Sequence, residues 1–360
     1  MYDERVSKLR IALQKQNLDG LLVTQPANMR YLTGFTGGEA WVAVTADSVS
    51  LATDSRYFEQ VEREAPQVEL VKLQRNYRES LLNFLSGIPG ERIGFESDHL
   101  TVRLFQEVLQ KAKGKTWIPT VDLVRRLRAV KEPDEIKAIS KAIRVAEESF
   151  EEAVALVRPG KTTEKELAWW LEKGMRERGA EKLAFDTIVA SGPNGAMAHA
   201  VPGDTVITPG VPVVIDMGAQ VDGYCSDFTR TVSWGIPRDP ERFWEVYLTV
   251  LQAQENAIAN LVPGMNGKEG DALAREVIEK AGYGGNFGHS LGHGVGLEVH
   301  ELPRLSAWAE DSILQKSMVV TVEPGIYLKG WGGVRIEDMV IISDEGAEVL
   351  TSLPKENPVL

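Results

Sequence analysis

Four carboxylates sit in two similar settings. Asp216 closes the apolar run VPVVI and Asp227 follows eleven residues later. Between them Asp222-Gly223 predicts a two-residue hairpin turn, because that dipeptide tolerates the positive φ such turns demand. With that turn Val221 pairs with Tyr224 and Asp216 with Thr229, which makes Asp227 the diagonal, same-face neighbour of Asp216. Glu323 and Glu337 are equidistant from Gly330, and a hairpin centred on that glycine sets them opposite one another. Taken singly, each acid reads as a turn former or a solvated strand residue. Asp216 and Glu323, however, each follow β-branched residues expected to be buried, where an unpaired carboxylate costs on the order of several kcal/mol. A metal cation removes that cost, and two ribbons with two acids each suit one metal cluster.

The histidines fall in the same part of the chain. Of the five, only His99 lies in the first third, and three cluster in GHSLGHGVGLEVHE. His289 and His293 have helical spacing, but the glycines at 288, 292, 294 and 296 favour a close-packed loop or strand. One imidazole with several carboxylates and no thiolate set suits manganese, cobalt, zinc or iron rather than a cysteine-bound structural zinc. That donor set reads as a hydrolytic two-metal site.

Two kinds of element must position these residues. Up to about residue 120, strand-like runs (LLVT, VELVKL, RIGFES) alternate with helix-like ones (YRESLLNFLS, TVRLFQEVLQKAK), which predicts a small α/β domain over 1–122. The basic stretch Arg125 to Lys131, followed by Pro133 at a helix start, reads as a linker over 123–133. The remainder, 134–360, carries one plan twice. Helices over 134–157 and 163–178 precede VPVVIDMG, and helices over about 240–260 and 267–281 precede MVVTVEPG. Thr163 and Glu166 form a capping-box pattern at the second of these helices. The expected class is α/β with α+β character, its larger domain made of two pseudo-symmetric halves.

Composition sets further bounds. A chain of 360 residues with 43% hydrophobic and 26% charged residues has enough apolar content for two folded cores. A net charge of -12, with no lysine or arginine cluster standing out beyond that basic stretch, speaks against nucleic acid as a partner. No apolar run approaches a membrane span. The lone cysteine, Cys225, and an N-terminal segment without an apolar core lead us to expect a cytoplasmic protein. Cys225 has no triad pattern around it and reads as a small buried residue.

The segments DMGAQVDGYCSDFTRT, GHSLGHGVGLEVHELP, TVEPGIY and GGVRIEDMV resemble, in order, the motifs of the pita-bread metallopeptidases. That family includes methionyl aminopeptidase, aminopeptidase P and prolidase. NMRYLTGFTGG and TDSRYFEQ are similar to the creatinase-type N-terminal domain of prolidases and aminopeptidases P, a domain that methionyl aminopeptidases lack. The resemblance implies Asp216, Asp227, His293, Glu323 and Glu337 as ligands of two divalent ions, manganese or cobalt first, zinc or iron as alternatives. Asp216 chelates one ion, Asp227 and Glu337 bridge, and His293 and Glu323 hold the other. It gives Glu323 the proton of the nucleophilic water, and places His199 and His300 at the scissile carbonyl. His289 matches a histidine of the proline pocket, and Arg304 an arginine that binds a dipeptide's terminal carboxylate. Arg335, on the same strand face as Glu337, reads as a support for a carboxylate ligand or as a plain cross-strand ion pair. The implied activity is hydrolysis before proline in short Xaa-Pro peptides by a metal-bound hydroxide, in a homodimer. Aminopeptidase P action on longer peptides is the alternative, and a non-catalytic peptide-binding module is the alternative of another class.

Overall fold

The computed structural model describes residues 2–360, and the chain separates into two compact units, one ending at Arg128 and one beginning at Ala129. In the first unit six strands form a mixed sheet: Gly20–Val23, Trp41–Thr45, Val49–Thr53, Glu69–Lys72, Arg92–Glu96 and Thr116–Thr120. The strand Gly20–Val23 lies at its centre, antiparallel to Trp41–Thr45 and parallel to Arg92–Glu96. It is buried at every position, as an apolar strand screened on both faces must be. The helix Tyr2–Lys15 buries Val6, Leu9 and Leu13, the one-sided spacing that seats a helix on a sheet. The stretch read as a linker holds a helix, Leu123–Ala129. Its Arg128 is 1% exposed and donates to Asn28 Oδ1 at 2.6 Å, so this arginine is packed in the first unit, and the division between the units falls within the stretch.

The second unit has the expected pairs of helices. Pro133–Leu156 begins with proline in its first turn and a Glu132/Glu135 capping box, and Glu164–Glu177 begins with the Thr163/Glu166 box. Pro240–Asn260 and Gly267–Lys280 make the second pair, the latter capped by Asn266 and Glu269. Each pair packs on its own apolar cluster. Ala142, Phe150, Leu167 and Leu171 meet Val213, Ile215 and Phe228 in one; Val246, Val250, Ala274 and Ile278 meet Val320, Val322 and Val340 in the other.

The acid-bearing strands form two ribbons with matching irregularities. In the first, pairing runs from Val213↔Val232 to Met217↔Phe228 and resumes at Gln220↔Cys225 and Val221↔Tyr224. Asp222 and Gly223 turn it with φ of 51° and 85°, which the Asp-Gly pair allows. In the second, pairing runs from Val319↔Ile341 to Val322↔Asp338 and resumes at Gly325↔Arg335. Glu323 and Glu337 occupy the interruption, opposite one another in register. Freed from their own ladder, their amides bond elsewhere: Glu323 N–H donates to Leu291 O at 2.8 Å and Glu337 N–H to Thr229 O at 3.1 Å. The second of these stitches the two ribbons together. Asp227, Glu323 and Glu337 lie where the ladders are interrupted, and Asp216 lies within a regular one, so the breaks let three acids turn toward the point that Asp216 faces instead of alternating across a regular sheet.

Candidate metal centre

Asp216 stands near the end of Val213–Met217, flanked by Ile188 and Thr229 on the neighbouring strands. Asp216, Asp227 and Glu337 each direct one carboxylate oxygen into a buried group whose members lie within 4.8 Å of one another. His293, on the short strand Gly292–Gly294, brings its Nε2 to 3.6 Å from Asp227 and 3.4 Å from Glu323. All five expected ligand positions therefore meet.

Left to themselves these groups repel. Burial pushes the Asp227 carboxyl well above its ordinary value, with Glu337 and Asp216 adding to the shift. Glu337 is raised likewise by burial and by Glu323 and Asp216, and burial lifts Glu323 to about 8. His293 is pushed down to about 4 by burial and by His300, so its ring is neutral at pH 7. Its Nδ1–H donates to Gly294 O at 3.1 Å, a carbonyl that only accepts, which fixes the tautomer and leaves the Nε2 lone pair facing two carboxylates. A lone pair facing a carboxylate is relieved by a proton on the acid or by a cation between the two, and a cation relieves all of these acids at once. A second sign is Asp216 Oδ1, buried without a hydrogen-bond partner while Oδ2 accepts from Arg335 at 2.6 Å. Four carboxylates and one imidazole, with Cys225 turned away toward Leu297 O, fit a hard or borderline divalent ion.

The reach of Arg335 is wider than a cross-strand pair. Besides Asp216 it donates to Thr229 Oγ1 at 3.0 Å, Tyr327 Oη at 2.8 Å and Ala198 O at 3.3 Å. Thr229 in turn donates to Glu337 Oε2 at 2.7 Å. One guanidinium thus orients two of the acids, directly and through a hydroxyl. Behind Glu337, Asp338 accepts from Arg230 at 2.8 Å, Gln254 at 2.7 Å and Lys355 at 2.5 Å. Although burial opposes it, Arg230 and Lys355 hold this carboxyl down to about 2. Sequence reasoning missed Tyr327 and the Arg230–Asp338–Lys355 network. The signal for the latter was present as charged residues inside strands that otherwise read as buried.

His289 Nδ1–H donates to Ser290 O, and its Nε2 accepts from Tyr327 Oη, both at 2.8 Å. Burial and the nearby Arg335 push its ring down to about 4, so it is a neutral acceptor at the end of a chain that runs Arg335, Tyr327, His289. The His300 ring lies 4.3 Å from that of His293 and is held below its ordinary value by burial and by His199. His199 is thereby placed within electrostatic reach of both His300 and His289. Arg304 is exposed on the strand Glu301–Leu305, in register with His293.

Fold and site together define a metallopeptidase. Residues 137–344 match the model of metallopeptidase family M24, and residues 5–130 that of the creatinase/prolidase N-terminal domain. The chain belongs to family M24, with the pita-bread catalytic domain following a creatinase-type domain. Among its relatives, the Xaa-Pro dipeptidase of Pyrococcus furiosus is 39% identical over 356 residues, 98% of this chain and 99% of the relative. Solved structures that resemble it include an Xaa-Pro dipeptidase from Bacillus anthracis, TM-score 0.95 at 39% identity over the whole of both chains. An X-Pro aminopeptidase from Thermotoga maritima superposes with TM-score 0.90 at 39% identity, covering 99% of each chain.

Proposed function

We propose that this enzyme hydrolyses the peptide bond before proline in Xaa-Pro dipeptides, with two divalent ions, manganese or cobalt first, held by Asp216, Asp227, His293, Glu323 and Glu337. The observation that carries the reading is the neutral His293 lone pair facing Asp227 and Glu323, beside the buried group of Asp216, Asp227 and Glu337. When bound, the ions supply Lewis acidity and lower the pKa of water toward neutrality. Glu323 accepts the proton that the attacking water gives up as its oxygen bonds to the carbonyl carbon, and that proton passes to the proline nitrogen as the C–N bond breaks. His300 and His199 stabilise the developing charge on the carbonyl oxygen. His289 and Tyr327 line the proline side, and Arg304 pairs its fork with the terminal carboxylate. Arg335 keeps Asp216 and Thr229 in place throughout. We further expect a homodimer.

The exposed side chain of Arg304 and the likeness to an X-Pro aminopeptidase favour a second reading, release of the N-terminal residue from longer Xaa-Pro peptides. Among the described residues no helix is long and apolar enough to cross a membrane. The test is hydrolysis of Ala-Pro, Ala-Pro-Ala and Ala-Ala-Ala by metal-depleted protein reconstituted with manganese or cobalt. Preference for Ala-Pro marks a dipeptidase and preference for Ala-Pro-Ala an aminopeptidase P. Absence of metal-dependent cleavage of all three leaves a peptide-binding module.

A further inference from the structure

Glu164 is the first residue of the helix Glu164–Glu177, yet its carboxylate takes no part in capping it. Thr163 Oγ1 accepts from Glu166 N–H at 3.2 Å and the Glu166 side chain accepts from Thr163 N–H at 2.8 Å, so the capping box is complete without it. The Glu164 side chain turns instead into the segment 191–205, where the residue is 0% exposed. Its Oε1 accepts from Ser191 N–H at 2.7 Å and Asn194 Nδ2 at 3.0 Å. Its Oε2 accepts from Gly203 N–H at 3.0 Å and Asn194 Nδ2 at 3.2 Å. Ser191 and Gly203 are the two ends of the loop that carries His199. One carboxylate therefore cinches both ends of that loop.

The rest of the loop is held to match. The backbone of Glu164 and Lys165 donates to Thr205 O at 3.0 Å and Gly203 O at 3.1 Å, and Arg335, which grips Asp216, also donates to Ala198 O at 3.3 Å. His199 itself is exposed, so nothing in its own packing fixes where it points. No lysine or arginine among the described residues pairs with Glu164, whose charge is met wholly by neutral N–H donors. An ionised carboxylate taken fully out of water is costly unless such bonds repay it, and they are stronger than bonds to a neutral acceptor. A helix needing only packing here would be as well served by an apolar residue.

We propose that Glu164 is a positioning residue: it closes the 191–203 loop and so sets His199 over the substrate carbonyl. The inference rests on the role given to His199 above. Glu164→Gln is the diagnostic change, since it keeps size and turns an acceptor into a donor facing N–H groups.

The experiment measures hydrogen exchange and Ala-Pro kinetics on manganese-loaded enzyme for wild type, Glu164→Gln, His199→Ala and the double variant. We expect exchange across 191–205 to rise about tenfold or more in Glu164→Gln, with helix 164–177 and the manganese content unchanged. We expect kcat to fall roughly 10- to 100-fold with KM within about threefold, and the loss to shrink to about twofold or less when His199 is already alanine. Should Glu164→Gln not fold, Asn194→Ala removes two of the four contacts from the loop side and is read in the same way. Unchanged exchange overturns the proposal. So does a kinetic loss that is fully retained in the His199→Ala background, which marks a structural role alone. The exchange arm reads the clamp even if Ala-Pro is not a substrate, so failure of the peptidase reading and failure of the clamp are separate results.

Discussion

Removing a metal ligand ordinarily weakens a protein, but Asp227→Asn should stabilise this one when no metal is present. In the metal-free centre Asp227, Asp216 and Glu337 crowd within 4.8 Å, where two ionised carboxylates repel by roughly 3 kcal/mol at an effective dielectric of about 20. Partial protonation relieves some of this, so deleting one charge should recover about 2–4 kcal/mol and raise the melting temperature by roughly 5–10 °C. With metal that advantage shrinks by about 2.3 kcal/mol. At manganese a hundredfold above the wild-type Kd, the ion adds about 2.7 kcal/mol to wild type, whereas a variant binding about 100-fold more weakly gains only about 0.4 kcal/mol. The assay is calorimetric unfolding of both proteins in EDTA and in manganese. A variant that melts below wild type in EDTA, or that shifts equally in both buffers, refutes the electrostatic reasoning.

Arg335→Met leaves Asp216, Tyr327 and Thr229 without their shared donor, and urea unfolding should show a loss of about 3–5 kcal/mol, the cost of orphaning a buried charge. Gly294→Ala places a Cβ at 2.1 Å from Leu302 O, so the His293 strand must shift; manganese titration should show affinity reduced by about tenfold or more. Cys225 is buried, and burial lifts its thiol to about 11, so at pH 8 only about one thiol in a thousand is ionised. DTNB should leave the native protein unlabelled and modify one thiol per chain in guanidinium. Arg304→Ala should lower kcat/KM for Ala-Pro by roughly 10- to 100-fold, mainly through KM, and change Ala-Pro-Ala far less; equal losses on both peptides would deny it the carboxylate.

What the sequence disclosed was local periodicity and register. The Asp222-Gly223 turn brings Val221 to Tyr224 and Asp216 to Thr229 as counted from sequence, because a two-residue turn leaves the register no freedom. The same count about Gly330 sets Glu323 against Glu337, although pairing stops at Val322↔Asp338 and restarts at Gly325↔Arg335. That interruption was not legible, since it depends on Leu291 and Thr229 taking the freed amides, partners distant in the chain. Distance in sequence also hid the Arg335–Tyr327–His289 chain, and the link from Lys355 to Asp338. The helix Leu123–Ala129 inside the basic run was hidden for a different reason: arginine counts as polar in any pattern, yet Arg128 buries its guanidinium against Asn28.

The central claim is that five side chains hold two ions at one point, and anomalous diffraction from manganese-loaded crystals tests it most directly. The account predicts two peaks, one beside Asp216 and one beside His293 and Glu323, with Asp227 and Glu337 between them. A single peak, or manganese bound away from these five residues, would contradict it.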